Sequence, residues 1–146
     1  MTYPSTPTIP APRLNAALAL LRIVAGGIFI AHGYMKLVGM GLPAATGFFT
    51  QVGAPLPGIS APLVTFLEVF GGVALILGLF TRPLALLLAL DMLGAIVLVQ
   101  FGKGLVGGYE LELLLMVTAI ALALAGGGEY SLDRMLAARK AEVRHG

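Results

Sequence analysis

Four long apolar segments dominate the sequence and restrict what the chain can fold into. They cover residues 14–38, 61–80, 83–101 and 109–125. Each is close to the ~20 residues that an α-helix needs to cross the hydrocarbon core of a bilayer. We therefore predict an all-α fold in which residues 14–128 form a transmembrane four-helix bundle.

The composition supports a membrane location and excludes several kinds of chemistry. Of the 146 residues, 58% are hydrophobic and 11% are charged, whereas soluble domains carry about 25% charged residues. The chain has no cysteine, so it cannot itself supply a disulfide, a thiol nucleophile or an iron–sulfur cluster. With only His32 and His145 available as histidines, we predict no metal site. The small net charge of +2 gives no indication of nucleic-acid binding.

Both ends of the chain are predicted to lie outside the bundle. Residues 1–13 are rich in proline, which disfavours helix and predicts a flexible tail. Residues 129–146 contain SLDRMLAARKAEVR, in which Ser131 can cap a short amphipathic helix that lies on the membrane surface. Between the first two spans, a Gly- and Pro-rich loop carries Phe48 and Phe49 and is predicted to act as a lid packed on the bundle or at the lipid interface.

The distribution of basic residues predicts the orientation. Four spans place both ends on the same side, and that side collects most of the basic residues: Arg13, Arg82, Arg134, Arg139, Lys140 and Arg144. Basic residues favour the cytoplasmic side of a membrane protein. We therefore predict a multi-pass protein of a prokaryotic plasma membrane with both termini in the cytoplasm.

One pair of opposite charges is predicted to lie at the same depth in the bilayer. Arg22 lies roughly 12 Å in from the cytoplasmic end of the first helix, at 1.5 Å per residue, and Asp91 lies about as far in along the third. Because charges in hydrocarbon are costly, they normally find partners inside a bundle. We predict a structural ion pair between Arg22 and Asp91, with a functional role for the pair left open.

A second polar cluster is predicted in the outer half of the bundle. His32 and Lys36 are four residues apart and so share a helix face. Glu68 lies about 10 Å down the second helix, Gln100 ends the third, and Glu110 begins the fourth. We predict that His32, Lys36, Glu68 and Glu110 bind a ligand.

Two points about this cluster are left open. Lys36 can instead reach the outer headgroups while His32 is a buried, hydrogen-bonded residue. Glu110 and Glu112 are separated by about 200° around a helix, so both cannot face the same interior site. We leave the role of Glu112 open.

The sequence resembles the DoxX family of small bacterial and archaeal membrane proteins between residues 14 and 135. The resemblance rests on the order and spacing of Leu21-Arg22, Gly26, Phe29, His32-Gly33, Lys36-Leu37, Phe48-Phe49, Gly53, Glu68, Gly71-Gly72, Leu77-Gly78-Leu79, Thr81-Arg82, Met92, Ala95-Ile96, Tyr109-Glu110-Leu111 and Ser131-Leu132-Asp133. It implies a four-helix integral membrane protein. It also implies a link to thiosulfate:quinone oxidoreductase, to thiol and oxidative-stress systems, and to soluble sulfurtransferase or superoxide dismutase partners.

Two functions follow from these observations. In the first, the chain is a membrane subunit in redox or sulfur metabolism that binds a quinone or a small sulfur compound, while a soluble redox or sulfurtransferase partner completes the electron path. In the second, it is a non-enzymatic anchor or assembly scaffold, which agrees with the absence of a complete catalytic set. Transport or lipid handling is a third hypothesis, and a transport pathway would require a homo-oligomer.

Overall fold

The computed structural model describes residues 11–145, and this part of the chain is helical and contains no strands. Its α-helices are α1 (Ala11–Tyr34), α2 (Leu42–Gln51), α3 (Pro57–Leu77), α4 (Thr81–Ala95), α5 (Glu110–Ala125) and α6 (Leu132–His145). Four stretches are long and apolar enough to cross a membrane: Ala11–Gly39, Pro57–Leu77, Thr81–Lys103 and Leu105–Ala125. The predicted all-α bundle of four membrane helices is confirmed.

The spanning helices contain irregular turns near one end of the bundle. α1 continues as a π-helical turn at Met35–Gly39, and α4 continues as another at Ile96–Gln100. The next span opens irregularly, because the backbone around Gly107 is not helical and regular α5 begins only at Glu110. Short π-helical turns inside α-helices are frequent at functional sites. Both π-helical turns here carry a polar residue, Lys36 in the first and Gln100 in the second.

The bundle is built from two closely packed helix pairs, α1 with α3 and α4 with α5. The α1–α3 crossing depends on two glycines. A Cβ atom added at Gly26 would lie 2.6 Å from the carbonyl oxygen of Gly72, and one added at Gly72 would lie 2.7 Å from that of Gly26. Small residues at such crossings let two membrane helices approach closely. A buried core fills the bundle, made of Ala25, Phe29, Leu75, Ala85, Leu88, Met92, Leu115 and Leu122.

Arg22 does not pair with Asp91, so that prediction is corrected. The buried Arg22 donates hydrogen bonds to the backbone oxygens of Tyr130, at 2.8 Å, and of Ile76, at 3.4 Å. α1 begins at Ala11, and Arg22 lies level with Ile76, near the C-terminal end of α3. The turns of α1 that precede Arg22 therefore extend past the end of α3. Depth counted from the start of the apolar segment therefore placed Arg22 too far into the bundle.

The first turn of α6 binds the end of the bundle where α3 meets α4, which we call the α6 end. The carboxylate of Asp133 accepts hydrogen bonds from the amides of Phe80, at 2.8 Å, and Thr81, at 2.9 Å. The Asp133 amide in turn donates to the Gly78 carbonyl at 3.0 Å. Since the first amides of a helix lack partners within it, Asp133 acts as a cap on α4 from another helix. Ser131 Oγ accepts a bond from the Arg134 amide at 3.3 Å, the cap predicted for α6.

Replacing this cap is expected to destabilise the bundle moderately. Asp133→Ala leaves two amides at the start of α4 without their acceptor and should lower the free energy of unfolding by about 1–2 kcal/mol. Thermal unfolding of the detergent-solubilised protein, followed by circular dichroism, measures the loss. Glu142→Ala, at an exposed position of the same helix, is the matched control. Equal melting temperatures for the two variants would contradict the assigned role of Asp133.

Residues 11–13 and the loop between the first two spans differ from their predicted structure. Residues 1–10 of the predicted flexible tail lie outside the described residues, while residues 11–13 already belong to α1. The predicted lid loop contains a helix, α2, which begins directly after Gly41 and has a proline in its first turn. Proline is tolerated there because the first amides of a helix need no partner within it.

Candidate functional site

A cavity of about 710 Å³ lies between the two helix pairs, on the side away from α6. This volume falls within the roughly 300–1,000 Å³ of typical small-molecule sites. Most of its lining is apolar, but one part of the wall carries ionisable and amide side chains: His32, Lys36, Glu68, Asp91, Gln100 and Glu112. The spanning helices thus enclose an apolar chamber with a polar wall.

The cavity opens between α3 and α4. Leu63 of α3 and Leu90 and Val97 of α4 all line it, and these side chains are 64%, 63% and 60% exposed. Exposed apolar side chains of membrane-spanning helices face the acyl chains of the bilayer. The opening therefore lies on the lipid-facing side of these two helices.

Helix α2 supplies an aromatic part of the cavity lining. Phe48 and Phe49 both line the cavity, with their ring centroids 6.3 Å apart in an edge-to-face arrangement. Val52 and Pro55, just after the helix, also line it. Both aromatic residues therefore contact the bundle at the cavity, while Phe48 remains 39% exposed.

An ion pair between α3 and the π-helical turn after α1 forms the centre of the polar wall. Lys36 Nζ lies 2.6 Å from Glu68 Oε1 and 2.5 Å from Glu68 Oε2. Glu68 is only 1% exposed, so its charge depends on this partner. Lys36 therefore points into the bundle instead of toward the outer headgroups. His32, one turn earlier in α1, lies close enough to interact electrostatically with the Glu68 carboxyl group.

Asp91 of α4 joins this group from the opposite helix pair. Its carboxyl group lies next to that of Glu68, so two carboxyl groups share the neighbourhood of Lys36. Asp91 therefore belongs to the polar cluster around Glu68, and the predicted pairing of Asp91 with Arg22 is wrong. The partner of Asp91 depends on the depth of Arg22 and on the packing of α4 opposite α3, and both are properties of the tertiary structure.

Glu112, and not Glu110, is the residue of α5 that lines the cavity. Gln100 Nε2 donates to Glu112 Oε1 at 3.2 Å, and Glu112 is only 9% exposed. Glu110 is exposed and accepts a hydrogen bond from the Gly107 amide at 3.3 Å. The placement of Glu110 in the site is therefore corrected.

A signal in the sequence could have identified Glu112. It lies three, seven and ten residues before Leu115, Ala119 and Leu122, which are the other buried residues of α5. This spacing follows one face of an α-helix, so Glu112 belongs to the buried face. Glu110 precedes that face by about 200° and points outward.

Several oxygen atoms of the polar wall have no partner in the protein. Among residues 11–145, four buried side-chain oxygens that line this cavity form no hydrogen bond with a protein group: Asp91 Oδ2, Gln100 Oε1, Glu112 Oε2 and Ser60 Oγ. Leaving a buried polar group unpaired costs about 1–3 kcal/mol, so most are paired in folded proteins. Their concentration around one cavity indicates a binding site. In the described part of the chain, no three His, Cys, Asp or Glu side chains are grouped so as to hold a metal ion.

Comparison with known proteins gives consistent matches. The family model described as DoxX matches residues 17–100. The Bacillus subtilis protein named "Putative oxidoreductase CatD" is 39% identical, over 78% of this chain and 82% of its own. Two Escherichia coli proteins are similar: inner membrane protein YphA (30% identical, 80% of this chain and 88% of its own) and inner membrane protein YqjF (31%, 84% and 93%). No solved structure matches the chain with comparable significance.

Proposed function

Because this chain belongs to the DoxX family of membrane proteins, we propose that its cavity binds the head group of a membrane quinone or quinol and that it serves as a membrane subunit of a redox system. The observation that supports this most directly is a polar wall inside a cavity that opens between α3 and α4 toward lipid. The Bacillus subtilis relative carries the name of an oxidoreductase, which agrees with a redox role.

The two ends of the cavity suit the two ends of a quinone. The apolar lining near Leu63 and Leu90 accommodates a long hydrocarbon tail, and Phe48 and Phe49 offer aromatic surfaces for the ring. The polar wall offers hydrogen bonds to the ring oxygens, with His32 and Lys36 as its basic members. A largely apolar site with a few placed polar groups is the usual design of a small-molecule pocket.

A small sulfur oxyanion fits this site less well than a quinone. Three carboxyl side chains, those of Glu68, Asp91 and Glu112, face only two basic side chains, and Lys36 is already paired with Glu68. An anion would have to leave water for a wall whose carboxylates repel it, at a cost that the free basic groups do not offset. Of the two ligands considered for this chain, the neutral quinone is therefore preferred.

Electron transfer at this site requires a second protein. The chain contains no cysteine, and no cavity-lining residue in the described part of the chain carries a redox-active group. We propose a soluble redox or sulfurtransferase protein as the partner that exchanges electrons with the bound ligand. Exposed basic residues at the α6 end, among them Arg82, Arg134 and Arg139, support a plasma-membrane orientation with both termini in the cytoplasm.

Ligand binding can be tested with the full-length chain in lipid nanodiscs. We expect saturable binding of decylubiquinone or its reduced form by isothermal titration calorimetry. Replacing Glu112 by leucine should weaken binding of at least one form by about tenfold or more, since a hydrogen bond to a charged group is worth about 1.5–3 kcal/mol. Glu110→Leu, two residues away and outside the cavity, should bind as the unmodified chain does. If neither form binds, the proposal is overturned.

A scaffold is the second candidate function, favoured by the way α6 is held. Its first turn is fixed to the bundle by Asp133, while Met135, Leu136 and Val143 remain 55%, 47% and 82% exposed. A helix held rigidly with apolar side chains exposed can dock on a protein or a membrane surface. This role predicts that replacing Met135, Leu136 and Val143 by serine, which leaves Asp133 in place, abolishes assembly with a redox partner while quinone binding is unaffected. The formation of a homo-oligomer stays a separate proposal that neither function requires.

A further inference from the structure

We infer that the cavity distinguishes the redox state of its ligand and binds the quinol in preference to the quinone. This inference rests on the proposed function, because it concerns the same cavity. It follows from which hydrogen-bonding groups of the polar wall remain available to a ligand.

The unpartnered atoms of the wall are mainly hydrogen-bond acceptors. Gln100 Oε1 is an amide oxygen that can only accept, and Glu112 Oε2 is the oxygen that remains free on the carboxyl group bound by Gln100. Asp91 is different, because its carboxyl group adjoins that of Glu68 and two adjoining carboxyl groups share a proton, so Asp91 can donate as well as accept. A quinone offers two carbonyl oxygens, which also only accept. A quinol offers two hydroxyl groups, each of which can donate. Placed against this wall, a quinone would leave buried acceptors unpaired, whereas a quinol would satisfy them.

The donors of the wall do not distinguish the two forms. Gln100 already donates to Glu112, and Lys36 donates to both oxygens of Glu68. Lys36 has a third N–H, and His32 has a ring nitrogen, that can still reach a ligand oxygen. Both the carbonyl of a quinone and the hydroxyl of a quinol accept such bonds. Only the acceptors therefore contribute to a difference in affinity.

The polar groups also lie at two places along the cavity. Asp91 lies beside Glu68, whereas Gln100 lies nine residues further along the α4 span, or roughly 13 Å at 1.5 Å per residue, and is hydrogen-bonded to Glu112 of α5. The two hydroxyl groups of a para-quinol point in opposite directions from the ring. One ligand oxygen can thus bond to Asp91 in either redox form, while only a quinol hydroxyl group can donate toward the Gln100–Glu112 pair.

Preferential binding of the quinol would change the redox potential of the bound ligand. Stabilising the reduced form makes the bound quinone a stronger oxidant than the free quinone in the bilayer. For a two-electron couple, each tenfold preference for the quinol raises the midpoint potential by about 30 mV. The partner protein would then act as the electron donor, delivering two electrons as the quinone takes up two protons.

The preference can be measured by comparing both redox forms under anaerobic conditions. The full-length chain in nanodiscs is titrated with decylubiquinol and with decylubiquinone, and we expect at least tenfold tighter binding of the quinol. Glu112→Gln replaces an acceptor oxygen by a donor amide. It should bring the ratio of affinities closer to one, while Glu110→Gln, the same change outside the cavity, should leave the ratio unchanged.

The outcomes separate this inference from the function on which it rests. Equal binding of the two forms by the unmodified chain would overturn the inference and leave the quinone site standing. Absence of binding by either form would overturn both. A quinol preference that persists fully in a properly folded Glu112→Gln protein, as judged by its thermal unfolding, would show that this acceptor does not cause it and would also refute the inference.

Discussion

The Gly26→Leu variant is expected to be among the least stable single substitutions in this protein. A Cβ atom at residue 26 would lie 2.6 Å from the carbonyl oxygen of Gly72 and 2.7 Å from a side-chain carbon of Ile76. The oxygen belongs to the backbone of α3, so the two helices must separate before any side chain fits. Overpacking a core usually costs about 1–3 kcal/mol, and we expect a loss of about 3 kcal/mol or more here.

The neighbouring glycine provides a matched control for this experiment. Gly27 is exposed, and a Cβ atom added there would meet nothing within 4 Å. Gly27→Leu therefore makes the same chemical change on the outer side of the same helix turn. Unfolding in increasing concentrations of dodecyl sulfate, followed by circular dichroism, should show a large loss for Gly26→Leu and little change for Gly27→Leu. Similar curves for the two variants would show that the α1–α3 crossing is not as close as described.

Removing the basic partner of Glu68 is expected to have a similarly large effect. In Lys36→Met, the carboxylate of Glu68 loses its ion pair while it remains buried beside Asp91. Breaking a buried ion pair by removing one partner typically costs about 3–5 kcal/mol, because a charge is left without compensation. We expect a loss in this range in the same dodecyl sulfate assay.

The double variant separates the ion pair from the packing of its side chains. Lys36→Met/Glu68→Leu removes both charges, and replacing a whole buried pair by apolar residues is often close to neutral. It should therefore be more stable than Lys36→Met alone. Lys103→Met, at an exposed position beyond the π-helical turn of α4, is the control for loss of a lysine. A double variant no more stable than Lys36→Met would argue against an uncompensated Glu68 charge as the cause.

The Lys36–Glu68 ion pair and the other polar groups of the cavity have different roles. Glu68 and Lys36 satisfy one another and support the α1–α3 pair. Asp91, Gln100 and Glu112 keep oxygens that no protein group satisfies. Polar groups within a membrane are costly, and those retained there commonly mark the path of a substrate, an ion or a proton. The polar groups of Asp91, Gln100 and Glu112 are therefore expected to determine how tightly the proposed ligand binds.

The polar cluster was predicted in part because helix geometry is local. His32 and Lys36 share a face at a spacing of four residues, and Glu68 reaches the same depth on the neighbouring span. These three residues do line one cavity. Asp91 and Glu112 could not be placed in the same way, since the first depends on the pairing of separate helices and the second on the residue at which α5 begins.

What the sequence determined by itself is the set of four membrane helices. Length and hydrophobicity decide whether a segment can span a bilayer, and both are properties of the segment alone. The tertiary structure decided which charges meet. The first turns of α1 extend past α3, so Arg22 binds the backbone oxygen of Tyr130. Asp91 lies beside Glu68 instead. The irregular turn at Leu105–Tyr109 starts α5 at Glu110 and directs Glu112 inward. Relative depth and rotation depend on how helices pack against one another, and no single segment encodes them.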